Sequence, residues 1–375
     1  MKILITGSKG FIGKNLIAAL RHQTTAELFE YDSDSHEGEL DDYARRCEFV
    51  FHLAGVNRPA NPEAFMAVNH GLTALLAEKL KKYGNRSPVL FTSSTQAMLD
   101  NPYGKSKKAG EDLLFRHGRE SESPVFIYRL PNVFGKWCRP DYNSAVATFC
   151  HHINRDLPIR VHEPDKEIDL VYIDDVTASF TEKLRFFEHN MQFSAFEPRI
   201  ETVSPLYTVK LGRIVELLHQ FRETRNSLQI PDMNDGFTKK LYSTYLSYLP
   251  EDQFCYPLPM NTDRRGSFTE FLKSPGMGQI SVNICKPGIN RGNHWHQTKH
   301  EKFLAVSGKG VIRLRQIDTD KVLSYHVSGD KPEVADIPAG YTHHIENRGE
   351  TDLVTIMWAN EIFDREAPDT FFLQV

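Results

Sequence analysis

A strand-length apolar run, Lys2–Thr6, passes into a helix-period segment, Lys14–Arg21, through Gly7-Ser8-Lys9-Gly10-Phe11-Ile12-Gly13. No other feature of the sequence restricts the fold so strongly. Glycines spaced three apart clear side chains from a strand–helix turn. The backbone there can approach an anionic ligand, and the amides opening the helix supply donors at the positive end of its dipole. The spacing is GxxGxxG rather than GxGxxG, and such turns also occur without ligands. Its place at the first strand–helix junction of the chain favours the ligand-binding reading.

Strand and helix patterns keep alternating. Leu28–Tyr31, Phe49–Leu53, Val89–Thr92 and Val125–Leu130 read as strands, and Pro62–Tyr83 and Ser106–His117 as helices between them. This order predicts an α/β doubly wound parallel sheet covered on both faces. The texture changes near Leu249–Met260, which holds three prolines. Short β-rich runs follow, including Gln279–Ile284, Lys302–Val306, Gly310–Gln316, Val322–Val327, Thr342–Asn347 and Leu353–Trp358, punctuated by Gly and Pro. They predict an all-β barrel or jelly roll. The expected domains are residues 1–246 and 254–375. Tyr242, Tyr245 and Tyr248 are spaced for one helix face and are expected to pack between the two domains.

Charge limits the partners. The 375 residues carry 45 basic and 49 acidic side chains, a net charge of −4. A weakly acidic chain lacks the broad positive field that nucleic acid or an anionic membrane requires, so neither is an expected partner. No run approaches the roughly 18 apolar residues of a membrane span, and MKILITG is too short for a secretory signal. Five scattered cysteines (Cys47, Cys138, Cys150, Cys255, Cys285) suit free thiols in a reducing cytoplasm, the expected location.

Several motifs bear chemistry. Tyr103 and Lys107 are four apart and share one helix face. A tyrosine, with a pKa of about 10, is a poor acid or base at neutral pH unless an ammonium stabilises its phenolate. Around this pair lie His52-Leu53-Ala54-Gly55, Asn69 in Ala67-Val68-Asn69, Arg129-Leu130-Pro131-Asn132-Val133-Phe134-Gly135, and Val171-Tyr172-Ile173-Asp174-Asp175-Val176. In this order the set resembles the extended short-chain dehydrogenase/reductase family, whose members mostly act on nucleotide sugars.

That resemblance implies a Rossmann-type fold with Tyr103 and Lys107 as catalytic residues. It implies cofactor contacts from Gly7, Lys9, Gly10, Phe11, Ile12, Gly13, Leu53, Ala54, Gly55, Tyr103 and Lys107, and substrate contacts from Asn69 and Asn132. The carbonyl-polarising hydroxyl is one of Thr92, Ser93, Ser94 and Thr95. Alignment to the family selects Ser94, although eight residues between Ser94 and Tyr103 is a shorter gap than the family commonly has. Asp32 after the second strand suits the ribose hydroxyl of NAD, whereas Lys9 suits the 2′-phosphate of NADP. NADP(H) is the expected cofactor, with NAD as the alternative.

The second half has a metal-ligand pattern. His294 and His296 alternate onto one strand face, and Glu301 and His343 follow on later strands. The spacing from Gly288 to Gly308, and that of Pro338–Asn347, resembles the two cupin motifs, with Pro332 in place of the second motif's leading glycine. Three imidazoles and a carboxylate suit zinc, with other divalent metals as alternatives. His300 and His344 are expected to face away. Asp263–Glu270 and Lys286–His294 also resemble the dTDP-sugar 3,5-epimerase branch of cupins, which implies that Arg265 contacts substrate. In that branch a catalytic base histidine stands where this chain has His294. Here His294 belongs to the ligand set, so the base is left open.

Reductase followed by cupin is an uncommon order. The whole chain resembles the bifunctional capsular polysaccharide enzymes of the CapF/WbjC type. The resemblance implies a homodimer acting on a UDP-amino-sugar. The cupin would epimerise C3 of a UDP-2-acetamido-2,6-dideoxy-4-hexulose. The first domain would then reduce the C4 ketone to give UDP-2-acetamido-2,6-dideoxy-L-talose, on the way to UDP-N-acetyl-L-fucosamine. The alternatives are an epimerase with tightly bound NAD and a non-catalytic nucleotide-sugar sensor.

Overall fold

Ile3, Leu4 and Ile5 are all buried, so the first strand is covered on both faces. In the computed structural model, which describes residues 1–59, 61–189 and 199–375, β1 (Lys2–Thr6) pairs in parallel with β2 (Glu27–Tyr31) and β3 (Phe49–His52). β4 (Val89–Ser94) and β5 (Val125–Leu130) extend the sheet. β6 (Asn132–Phe134) and β7 (Glu167–Tyr172) pair beside it, β8 (Arg199–Glu201) takes the far edge, and β9 (Tyr207–Lys210) joins β7. The main order is β2-β1-β3-β4-β5-β8.

Pleating sends Ile3 and Ile5 to one face and Leu4 to the other. The first pair packs with Leu16 and Leu20 of α1 (Phe11–Gln23). Leu4 packs with residues of α2 (Glu37–Arg46), α3 (Gly71–Lys82) and α4 (Pro102–Ser121). The order turns back between β1 and β3, so the loops after these two strands flank the switch point where ligands bind in such sheets. The apolar runs seen in the sequence are therefore central parallel strands.

α4 is tied to the sheet by a buried charge. Glu111 is fully buried, and its carboxylate accepts bonds from Arg129 Nε and Nη2 at 2.9 and 2.7 Å and from Ser93 Oγ at 2.6 Å. This bond set fixes α4, which carries Tyr103 and Lys107, against β4 and β5.

The β-rich part contains β10 (Asn261–Asp263), β11 (Gly266–Ser274), β12 (Gly278–Cys285), β13 (Asn290–Trp295), β14 (Glu301–Ser307) and β15 (Lys309–Gln316). β16 (Val322–Ser328), β17 (Val334–Ile337), β18 (Tyr341–Asn347), β19 (Leu353–Ala359) and β20 (Phe371–Phe372) complete it. They form two antiparallel sheets, β10-β11-β12-β19-β14-β17 and β16-β15-β18-β13-β20. Phe303, Ile312, Leu314, Ile345 and Leu353 fill the apolar core.

The chain divides into two units, Met1–Leu218 with Lys240–Leu249, and His219–Lys239 with Pro250–Val375. His219–Lys239, which the sequence reading places in 1–246, groups with the β-rich unit. The amide of Lys273 donates to Leu228 O and that of Ile230 to Lys273 O. The tyrosine spacing also needs correction. Tyr242 and Tyr245 stack on one helix, Gly236–Leu246, but Tyr248 lies beyond its end and donates to Cys138 O at 2.6 Å inside the first unit. All five cysteines are free thiols. Among the described residues no helix is long and apolar enough to cross a membrane.

Arg129→Leu strips the buried Glu111 of its counter-charge, and urea unfolding is expected to register a loss of about 3 kcal/mol or more. Combining it with Glu111→Gln is expected to restore part of that loss, because no charge is then left unpaired.

Candidate active site and candidate metal centre

The glycine turn lies against the end of β3. Gly7 has φ +71°, and a Cβ there would come within 2.7 Å of the Ala54 backbone. At Gly13 a Cβ would come within 2.2 Å of Gly7 O, so only glycine lets α1 start this close to the turn. Gly10 is the N-cap of α1, and no side chain caps that first turn. The amides that begin α1 are thus presented at the switch point, beside Leu53, Ala54 and Gly55.

Asp32 and Lys9 meet at this turn. The Asp32 carboxylate accepts the Lys9 amide at 2.7 Å and the Ser33 amide at 2.8 Å, while the Lys9 ammonium pairs with Asp34. Asp32 therefore braces the turn and is not merely a solvated loop charge. Lys9 stays at the surface, 63% exposed.

Lys107 is buried, and its ammonium donates to Thr92 O at 3.0 Å. It lies 5.2 Å from the Phe91 ring centroid and 5.9 Å from that of Tyr103. A Cβ on Gly55 would come within 2.9 Å of Lys107 Nζ, which places the ammonium at the β3 loop. Burial lowers its pKa to about 8, against the pull of Glu111. Tyr103 is pushed up to about 12 by burial, and its bond with Ser94 opposes that rise. At neutral pH Tyr103 thus carries a proton it can donate.

The four candidate hydroxyls now separate. Thr92 Oγ1 lies 3.4 Å from His52 O, Ser93 bonds Glu111, and Thr95 is exposed. Ser94 is buried beside Tyr103 and caps a short 3₁₀ turn by accepting the Gln96 amide at 3.2 Å.

Asn69 sits in one turn of π-helix, Phe65–His70, a geometry frequent at functional sites. Its Oδ1 accepts the Val56 amide, and its Nδ2 donates to Val56 O and Ser106 Oγ. Its amide joins the β3 loop to α4. Asn132 is exposed and donates to Asp169 O at 3.2 Å. The sequence reading missed the buried link beneath this site. His52 bridges Thr6 and Thr73 at 2.7 and 2.8 Å, and the Thr73 hydroxyl donates to Asn69 O. That donation spends Thr73's single proton, so His52 Nε2 donates and Nδ1 accepts from Thr6. Only the position of His52 at a strand end hinted at this.

In the β-rich unit, one ligand atom from each of His294, His296, Glu301 and His343 lies within 4.8 Å of the others. Glu301 Oε2 is 3.2 Å from both His296 Nε2 and His343 Nε2. His343 Nε2 is buried without hydrogen-bond geometry to any partner, an orphan that a cation would satisfy. His296 Nδ1 faces Asp369 O at 2.6 Å, which orients the ring and aims Nε2 at the cluster. Burial and the neighbouring His343 bring the His294 pKa down to about 4, so it is neutral at pH 7. Burial pushes Glu301 up, but the two imidazoles beside it hold its carboxyl well below the usual carboxylate range. Four N/O donors of this kind fit zinc or another divalent metal.

His300 packs on Trp358, and His344 bonds Asn293 and Arg313, so neither joins the cluster. Asp369 was not legible in the sequence. Its carboxylate accepts the amides of Gln297, Thr298 and Lys299 and shapes the turn between His296 and Glu301. The cluster opens into a cavity of about 420 Å³ that Arg265 and Arg291 also line. Arg265 is exposed and pairs with Asp263 at 2.6 Å.

Known proteins resemble both units. Residues 3–192 match the family described as "NAD dependent epimerase/dehydratase family", and residues 261–371 match "Polysaccharide biosynthesis C-terminal domain". UDP-2-acetamido-2,6-beta-L-arabino-hexul-4-ose reductase of Pseudomonas aeruginosa is 45% identical over 375 residues, covering 100% of this chain and 99% of that protein. The capsular polysaccharide assembling protein CapF of Staphylococcus aureus is similar over 100% of both chains, with 50% identity and a TM-score of 0.92. A structure of CapF with the inhibitor 3-isopropenyl-tropolone shares 46% identity over 100% of both chains, with a TM-score of 0.87.

The depressed Lys107 pKa has a stability consequence. Between pH 8 and the ordinary value of 10.5, the unfolded chain holds more of this proton than the folded one, so folding gains as pH rises. Wild-type stability is expected to rise relative to Lys107→Met across that window. Urea midpoints of both proteins at the two ends would measure it, and a constant difference would contradict the burial of the ammonium.

Proposed function

From the premise that this chain belongs to the NAD dependent epimerase/dehydratase family, in the form shared with CapF and the arabino-hexulose reductase, we propose a bifunctional nucleotide-sugar enzyme acting on a UDP-2-acetamido-2,6-dideoxy-4-hexulose. The β-rich unit epimerises C3, and the α/β unit reduces the C4 ketone. The product is UDP-2-acetamido-2,6-dideoxy-L-talose, a precursor of UDP-N-acetyl-L-fucosamine for capsular polysaccharide. One observation carries the reductive half: Tyr103 is half-buried and protonated beside Ser94, with the Lys107 ammonium 5.9 Å from its ring centroid.

The C3 proton of a 4-keto sugar is acidified by the neighbouring carbonyl. Its removal breaks the C3–H bond and moves the electron pair toward the C4 oxygen, and reprotonation on the opposite face inverts C3. His294, His296, Glu301 and His343 would hold a divalent metal, zinc being the preferred ion. Such an ion supplies Lewis-acid stabilisation of negative charge on oxygen. Arg265 and Arg291, at the same cavity, offer positive charge to the diphosphate.

Reduction needs a hydride at C4 and a proton at its oxygen. NADPH, when bound, supplies the hydride, with NADH as the alternative donor. The open first turn of α1 offers amides to its pyrophosphate, and surface Lys9 can turn from Asp34 to a 2′-phosphate. Ser94 polarises the ketone and Tyr103 donates the proton. Lys107 then stabilises the resulting phenolate. Asn69 acts through its neighbours, holding the β3 loop against α4. Reduction removes the epimerised ketone and draws the reversible first step forward.

A tropolone presents two adjacent oxygens, the pattern of a metal chelator, and a tropolone inhibitor of CapF is in keeping with a metal-dependent step. A homodimer is the assembly we propose from the same kinship.

Two variants should separate the two halves. Tyr103→Phe is expected to slow NADPH oxidation by at least about 100-fold, while deuterium from solvent still enters C3 of the 4-keto sugar. His294→Ala is expected to abolish that exchange and lower the bound metal measured by elemental analysis. Unchanged NADPH consumption by Tyr103→Phe, or full metal content in His294→Ala, would overturn the respective assignment.

A further inference from the structure

β12 carries a column of polar side chains into the barrel. Gln279, Ser281 and Asn283 alternate onto its inner face, all at least nine-tenths buried, and all three line the cavity that holds the histidine cluster. Two of them are engaged. Gln279 Oε1 accepts the Phe363 amide at 3.2 Å, and Gln279 Nε2 donates to Ser281 Oγ at 3.1 Å. Asn283 is different: at 1% exposure, its Nδ2 has no hydrogen-bond partner. Across the β12–β19 ladder its direct neighbour is Thr355, whose Oγ1 is also buried and without a partner. A buried amide donor without an acceptor costs stability, so an orphan donor on a residue that lines the cavity calls for a ligand that meets it.

Register sets where that ligand lies. Gln279 and Glu301 both pair with Ala359, and Asn283 stands four residues farther along β12. At the rise of a strand that is roughly 13 Å from the row of Glu301. The offset is on the scale of a hexose ring, its substituent and the side chains at either end. A 4-keto sugar with its carbonyl toward the histidine cluster places C3 next to the cluster and the C2 substituent beyond it.

We propose that Asn283 donates a hydrogen bond to the carbonyl oxygen of the sugar's C2 acetamido group, with Thr355 beside it, and so selects amino sugars over 2-hydroxy sugars. The assignment rests on the epimerase reading of this unit. The acetamido carbonyl is an acceptor of the kind the orphan donor lacks. A 2-hydroxyl is shorter and reaches less far along the strand.

The test uses the full-length protein, with deuterium entry at C3 followed for a UDP-4-keto-6-deoxy sugar bearing a 2-acetamido or a 2-hydroxyl group. Exchange by the wild-type protein tests the epimerase reading. The ratio of the two substrates in Asn283→Ala and Asn283→Ser tests the assignment, so the two can fail separately. Loss of this hydrogen bond is expected to lower the preference for the acetamido sugar about tenfold, with metal content and unfolding midpoint retained. A preference equal to the wild type, or an equal fall for both substrates, would overturn the role in selection and leave Asn283 a structural residue whose amide meets solvent.

Discussion

Lys107 carries an ammonium into the interior of the first unit, where the Thr92 carbonyl is its hydrogen-bond acceptor and the rings of Phe91 and Tyr103 lie beside it. That burial dictates much of what surrounds it. A side chain at position 55 would displace the ammonium, so glycine leaves room for it. Asn69 has to bind both Val56 and Ser106 to hold the β3 loop on α4. Glu111 and Arg129 anchor the same helix from beneath. A cation kept dry in this way favours a negative charge on a neighbouring phenol, the state that the proposed proton donation by Tyr103 would leave.

The second unit solves a similar problem with the opposite charge. Glu301 is a nearly buried carboxylate in a barrel, and the imidazoles of His296 and His343 meet it. Their outer nitrogens are held by backbone oxygens, which aims their inner nitrogens at the cluster. Both sites thus rest on ionic or ligating groups taken out of water and oriented by backbone partners. Each is joined to a rigid element: α4 on the parallel sheet, and β13, β14 and β18 in the barrel. Proton transfer and metal binding both depend on such fixed geometry.

Much of this was legible in the residue order. The glycine turn, Tyr103 with Lys107, and the set His294, His296, Glu301 and His343 are local patterns whose geometry follows from strand and helix periods. The strands of the first unit were placed to within a few residues, whereas the strand Asn290–Trp295 was given no range and ends before His296. The third hydroxyl, Ser94, came from resemblance among four neighbours, because period alone cannot say which group on α4 each side chain meets. In the structure Ser93 bonds Glu111, and Ser94 lies by Tyr103. The segment His219–Lys239 was assigned to the first domain by sequence position, whereas its backbone bonds to Lys273 bring it to the second unit.

By itself, then, the sequence determined the order of two folds, the switch-point turn and the residues of the histidine–glutamate cluster, because each depends on local spacing. Only the tertiary structure decided the partners that cross between elements. It made Asp32 a brace for the glycine turn and Asn69 a clamp, linked His52 to both threonines, and set Asp369 beside the His296 turn. It also left the Asn283 amide facing Thr355 without an acceptor. Such contacts join residues tens of positions apart, and no local period encodes which distant polar group will meet which.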